Sequence, residues 1–164
     1  GKLGTIYAKH WNYENLCLIG DAAHAIVPFF GQGMNASFED CIILMDCIEK
    51  NKGNWIDIFN VYNKKRKQDT DAIAKMAIEN YIEMRDLVTQ PEFIARKQVA
   101  NSLYKKYPNN FIPRYNMVSF SSIPYSEVYK RGKIQNSILS ELNFDNLDWE
   151  KINTLISTRL SPVN

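Results

Sequence analysis

Cysteine and histidine are scarce in this chain, and their scarcity removes whole classes of chemistry. The 164 residues hold three cysteines and two histidines. Cys17, Cys41 and Cys47 are odd in number and lack metal-ligand spacing, so neither a disulfide framework nor a zinc module is expected. His10 and His24 are too few for a metal set, and no Ser-His-Asp triad can be assembled around them. Glycine is sparse, with seven residues, and there is no low-complexity linker or internal repeat. Long apolar runs are missing too: Ile42-Ile43-Leu44-Met45 falls far short of a membrane span. Lys2-Leu3-Gly4-Thr5 does not open a signal peptide. Net charge is only +2, so no nucleic-acid partner is implied. The one basic run, Lys64-Lys65-Arg66-Lys67, reads as a solvated helix face.

What is present is an ordinary soluble composition, 45% hydrophobic and 23% charged, at a length that suits one domain. Thr5–Trp11 and Leu16–Ile19 read as strands around a turn at Asn12–Asn15. Cys17 and Cys41 are expected to behave as small buried hydrophobes, in a reducing compartment. Met34, Phe38, Cys41, Ile42, Met45 and Ile48 recur at helical spacing up to a break at Asn51–Asn54. Trp55 to about Val88 is expected to be helical, with Ile58, Tyr62, Ile73, Met76, Ala77, Tyr81 and Met84 as an interrupted apolar stripe. Pro91 starts a new helix running to about Tyr107. The segment Tyr115–Ile123 fits helix or strand equally, and two final helices are expected near Ser126–Leu142 and Asp148–Leu160. The segment is therefore mostly α-helical with a short β-hairpin at its start. A hairpin is marginal alone and buried strands belong to larger sheets. With a first residue that is not Met, the expectation is a fragment.

The most informative stretch is Gly20-Asp-Ala-Ala-His-Ala-Ile-Val-Pro-Phe-Phe-Gly-Gln-Gly-Met-Asn35, which holds three glycines between a short apolar run and a helix. Three chemistries compete for it. Gly31-Gln-Gly-Met-Asn-Ala36 fits the dinucleotide pattern G-x-G-x-x-A, but that fingerprint needs its first glycine directly after a strand, and here the strand ends at Ile19. Asp21 and His24 form an acid-base pair in outline, though an Asp and a His three apart are more often structural. In the third reading Asp21 accepts from a ribityl hydroxyl, and the helix N-terminus at Gly33-Met34-Asn35 faces a flavin pyrimidine. Reduced flavin carries negative charge near N1 and the C2 carbonyl, which suits unpaired N–H donors and the positive end of a helix. Gly31 and Gly33 permit close approach, while Pro28, Phe29 and Phe30 supply a stiff apolar wall that excludes water.

Gly-Asp-Ala-Ala-His, then Pro, then Gly-Gln-Gly-Met-Asn resembles the second FAD motif of single-component aromatic hydroxylases of the p-hydroxybenzoate hydroxylase type. Three ordered blocks narrow the resemblance to the kynurenine 3-monooxygenase branch: Gly20–Asp40, Asn80-Tyr-Ile-Glu-Met-Arg85 and Phe111-Ile-Pro-Arg-Tyr-Asn-Met-Val-Ser-Phe120. The resemblance implies an α/β FAD/NAD(P)-binding parent. Residues 1–53 would close its FAD-binding domain, and 54–164 would be a helical C-terminal region contributing to the substrate pocket. It implies Asp21, Gly33, Met34 and Asn35 as FAD contacts, and Asn80, Met84, Tyr115, Pro28, Phe29 and Phe30 as the surroundings of L-kynurenine. FAD and transient NADPH would be the cofactors and O2 the second substrate, with the cofactor carrying the chemistry. No catalytic acid or base and no metal ligand is assigned; His24 is the only candidate. The glycine-rich ADP site and the residues that bind the substrate carboxylate would lie in an N-terminal portion. The polar tail Asn143–Asn164, in place of a membrane anchor, implies a cytoplasmic, bacterial-type enzyme whose isolated segment would be inactive. Two alternatives are a related flavin hydroxylase with another aromatic substrate, and a non-catalytic helical interaction module.

Overall fold

The computed structural model describes residues 2–51 and 53–163. The chain divides into two compact units between Tyr81 and Ile82, and each has its own core.

The first unit opens with an extended segment and a minimal hairpin. β1 (Asn12–Tyr13) pairs antiparallel with β2 (Leu16–Cys17). The two-residue loop is closed by Glu14 at a φ of 48°, a left-handed conformation that few non-glycine residues adopt. Thr5–Trp11, expected as a strand, is not one. A strand is defined by its ladder partner, and this segment instead donates from Ile6 N to Ala25 O (2.9 Å) and from Ala8 N to Ala23 O (3.2 Å). The second expected strand shortens to Leu16–Cys17 for the same reason. One helical turn, α1 (Asp21–His24), follows Gly20. Then come α2 (Gly33–Lys50) and α3 (Trp55–Ile82). Trp11, Ala23, Cys47, Ile58, Phe59 and Tyr62 belong to the core of this unit.

The orientation of α2 overturns the expected stripe. Met34, Phe38, Ile42 and Met45 are exposed, Phe38 by 60% and Ile42 by 69%, and Cys41 is exposed with them. The buried face carries Ala36, Asp40 and Cys47. Small side chains and one ion-paired carboxylate face inward, and the large apolar ones face out. Cys17 is half-buried, so the fully buried thiol is that of Cys47.

The second unit starts where the long helix changes winding. Glu83–Leu87 forms a π turn, and the helix ends before Pro91, which sits in the first turn of α4 (Pro91–Lys106). Proline fits there because its missing N–H has no intrahelical partner to lose. α5 (Arg114–Phe120) settles as a helix the segment whose pattern was ambiguous. α6 (Tyr125–Ser140) and α7 (Trp149–Arg159) complete the unit. Val99, Leu103, Phe111, Ile138, Ile152 and Ile156 belong to its core. Arg131 is buried as well and donates from Nη2 to the carbonyls of Asn110 (2.8 Å) and Ser161 (2.9 Å). Burial holds its guanidinium below the usual arginine value. Trp149 lies under the Lys106 ammonium, 4.1 Å from its ring centroid.

α7 begins at a true cap. The Asp148 carboxylate accepts from the amides of Glu150 (3.1 Å) and Lys151 (3.0 Å). Asp148→Ala should therefore cost about 1 kcal/mol of stability, read as a lower urea midpoint; an unchanged midpoint would mean the cap contributes nothing.

Candidate functional site

The loop that the sequence singles out is organised by a side chain beyond its own end. Asp40 on α2 is fully buried. Its Oδ2 accepts from Gly20 N at 3.0 Å and from His24 Nε2 at 2.5 Å. Its Oδ1 accepts from Arg66 Nε at 2.7 Å. Arg66, 1% exposed on α3, also donates to Glu39 Oε2 (2.9 Å) and to Ala36 O (3.1 Å). One carboxylate thus joins the strand-end loop, α1, α2 and α3. The basic run is not a uniformly solvated face: Lys64 and Lys65 are exposed, but Arg66 is buried.

Charge follows from this geometry. Burial pushes the Asp40 carboxyl up, but the bonds from His24 and Arg66, aided by the Gly20 N–H, outweigh it and hold it below the usual carboxylate value. Asp40 is therefore ionised at neutral pH, and His24 must carry its hydrogen on Nε2 to donate. Burial also opposes the Arg66 charge, yet Asp40 and Glu39 raise its value further. Burial first, then the Asp40 charge, pushes up both the Cys17 thiol and the Tyr62 hydroxyl, so both keep their protons. His24 pairs with Asp40 and not with Asp21, and its ring lies against Trp11 with centroids 5.1 Å apart.

Two donor and acceptor sets remain unused beside this network. Asp21 is exposed, and no other described residue engages its carboxylate. At the start of α2 no side chain caps the helix. The first intrahelical bond is Ala36 N to Gln32 O, so the amides of Gly33, Met34 and Asn35 have no partner among the described residues. Gln32 supports this end from the side, accepting from Asn35 Nδ2 at 2.9 Å. Gly31 adopts a φ of +67°, and a Cβ built there or at Gly33 would meet nothing within 4 Å. Open space, free N–H donors and a free carboxylate form a donor set that fits a flavin ring and its ribityl chain.

The apolar wall is partly assembled. Asn80 Nδ2 donates to Phe29 O at 2.7 Å, and the Phe29 and Tyr81 rings pack with centroids 4.5 Å apart. Phe30 is buried, Phe29 half-buried and Pro28 exposed. Pro28 O accepts from Gly31 N at 3.2 Å, closing a turn. Asn80 thus meets Phe29 in the first unit. Met84 and Tyr115 belong to the second unit, where both are exposed and Tyr115 makes an edge contact with Phe120. Asp40 and Arg66 escaped sequence reasoning as functional residues. The signal was the gap in the α3 stripe: Arg66 lies four residues after Tyr62 and seven before Ile73, on the same face. Among the described residues no group of His, Cys, Asp and Glu could hold a metal ion, and no helix is long and apolar enough to cross a membrane.

A glycine-aspartate at the start of α1, a glycine-bearing loop and an uncapped helix start suit a cofactor-binding protein, and the FAD binding domain family model matches residues 2–99, so the chain belongs to that family. Its relatives include proteins named kynurenine 3-monooxygenase. That of Cytophaga hutchinsonii is 47% identical over 142 residues, covering 86% of this chain and 32% of the relative. That of Myxococcus xanthus is 42% identical over 168 residues, covering 99% and 36%. That of Legionella pneumophila is 39% identical over 163 residues, covering 96% and 36%. The chain spans about a third of the length of these relatives.

Removing one partner of a buried ion pair strands the other charge, so Asp40→Ala should cost about 3–5 kcal/mol at pH 7. The folded-state value lies below the unfolded one of about 3.9. The stabilisation is therefore full above that pH and disappears as pH falls through the folded value. Urea titrations between pH 7 and pH 2 should show the gap between native and variant protein closing only on the acid side. A gap independent of pH would contradict this assignment.

Proposed function

We propose that this chain is the part of an FAD- and NADPH-dependent monooxygenase that holds the flavin ring and completes the pocket for L-kynurenine, which is hydroxylated to 3-hydroxykynurenine. The observation that carries the cofactor reading is the pairing of an unengaged Asp21 carboxylate with the uncapped amides of Gly33, Met34 and Asn35 on one fixed scaffold. The substrate reading is supported by the three relatives named above, which are 39–47% identical and named for that activity. The family match argues against a purely helical interaction module.

In this reading Asp21 accepts from a ribityl hydroxyl, and the first turn of α2 offers N–H groups to the electron-rich edge of the ring. When bound, FAD would accept hydride from NADPH and activate O2, which provides the oxygen atom inserted into the ring. Pro28, Phe29 and Phe30 exclude water from that face. Asn80 fixes the Phe29 carbonyl and, in this reading, faces the amino-acid end of the substrate; Tyr115 and Met84 are substrate contacts that the family resemblance implies. No residue is assigned a proton-transfer step; His24 is committed to Asp40. Residues 1–53 close the α/β FAD-binding domain, and 54–164 form its helical C-terminal region. The outward stripe of Met34, Phe38, Ile42 and Met45 is the face that the remaining two thirds of such an enzyme covers. A cytoplasmic setting is part of the same reading.

In the full-length gene product, Asp21→Ala should weaken FAD binding about tenfold, the worth of one hydrogen bond to a charged group. Asn80→Ala and Tyr115→Phe should raise the KM for kynurenine about tenfold and leave FAD affinity nearly unchanged. Unaltered KM in both variants would defeat the pocket assignment. The isolated 164 residues should not turn over, and hydroxylation by them alone would contradict the partial-site reading.

A further inference from the structure

We propose that Asp40 is a positioning residue for the cofactor: clamped by Arg66, it fixes Asp21 against the first turn of α2 and so sets the spacing of the two flavin contacts. This rests on the flavin reading of the loop and assigns a role to residues outside it.

Asp40 is not itself a ligand. It is fully buried, and its oxygens are taken up by Gly20 N, His24 Nε2 and Arg66 Nε. What it holds is the residue directly before Asp21. The Gly20 amide donates to Asp40 (3.0 Å), while the Gly20 carbonyl accepts from Ala23 N (2.8 Å) and His24 N (3.0 Å). Gly20 is thus gripped at both ends. It adopts a φ of +60°, and a Cβ there would lie 3.2 Å from Ser37 Oγ, so its backbone rests on the first turns of α2. Ser37 in turn donates to Gly33 O (3.0 Å). On the other side Arg66 holds both Asp40 and the Ala36 carbonyl, one turn apart on α2. The path from Asp21 to the free amides of Gly33, Met34 and Asn35 runs through this clamp.

If Asp40 acts through Asp21, the two residues must be coupled in FAD binding; if it only adds stability, their effects are independent. The test is a double-mutant cycle in the full-length gene product, with FAD affinity read by flavin fluorescence. Asp40→Asn keeps the shape but removes the charge. It should weaken FAD binding about tenfold beside Asp21 and by less than about twofold in the Asp21→Ala background. At saturating FAD its visible band should move toward that of free flavin, a change that lost stability alone does not produce. Equal losses in both backgrounds, or no loss, would overturn the proposal. Should Asp40→Asn fail to fold, Arg66→Lys keeps the cation but loses the second contact to α2. It should weaken binding about threefold, again only beside Asp21, and equal losses would overturn the proposal as well. A native protein that binds no FAD would sink the flavin reading itself, whereas native binding with an uncoupled Asp40 variant would sink only the positioning role.

Discussion

The buried carboxylate of Asp40 is the constraint on which the first unit depends. Desolvating a charge costs several kcal/mol, and attraction to a partner offsets that only with good geometry and filled hydrogen-bonding positions. Both conditions are met here: three donors from three elements converge on its two oxygens. Such a group tolerates few arrangements. The elements that supply its partners are therefore fixed relative to one another more tightly than apolar packing alone would fix them.

The rotation of α2 follows from this. Asp40 must face Arg66 and His24, so Ala36 and Cys47 turn inward with it, and Met34, Phe38, Ile42 and Met45 are carried to the surface. Burying that stripe instead would leave the Arg66 guanidinium without its main counter-charge. The same rotation presents the free end of α2 beside Gly20 and Asp21. Electrostatics thus decide which face of the helix is the inside and where its open N–H groups point.

Local chemistry was legible in the sequence, and long-range pairing was not. The helix start at Gly33, the break at Pro91 and the last helix beginning near Asp148 each follow from local residue preference and appear where expected, whereas Asp21–His24, expected as loop, forms a helical turn. Thr5–Trp11 has strand composition, but composition does not supply a ladder partner. Arg66 was hidden in a run of lysines because charge runs are usually solvated; only the shared phase with Tyr62 and Ile73 betrays it. The α2 stripe misled for the opposite reason, since periodicity shows that a helix has an apolar face but not what covers it. α5 was ambiguous because seven residues are too few for helical and strand periods to separate.

The central claim is that the open end of α2 and the Asp21 turn together receive a flavin. Hydrogen exchange of the full-length gene product with and without FAD tests it most directly, since free helix-start amides exchange fast and bound ones do not. The account predicts slowed exchange at Gly33, Met34 and Asn35 and through the peptide containing Asp21 when FAD is bound. Bound FAD with unchanged exchange at those amides would contradict it.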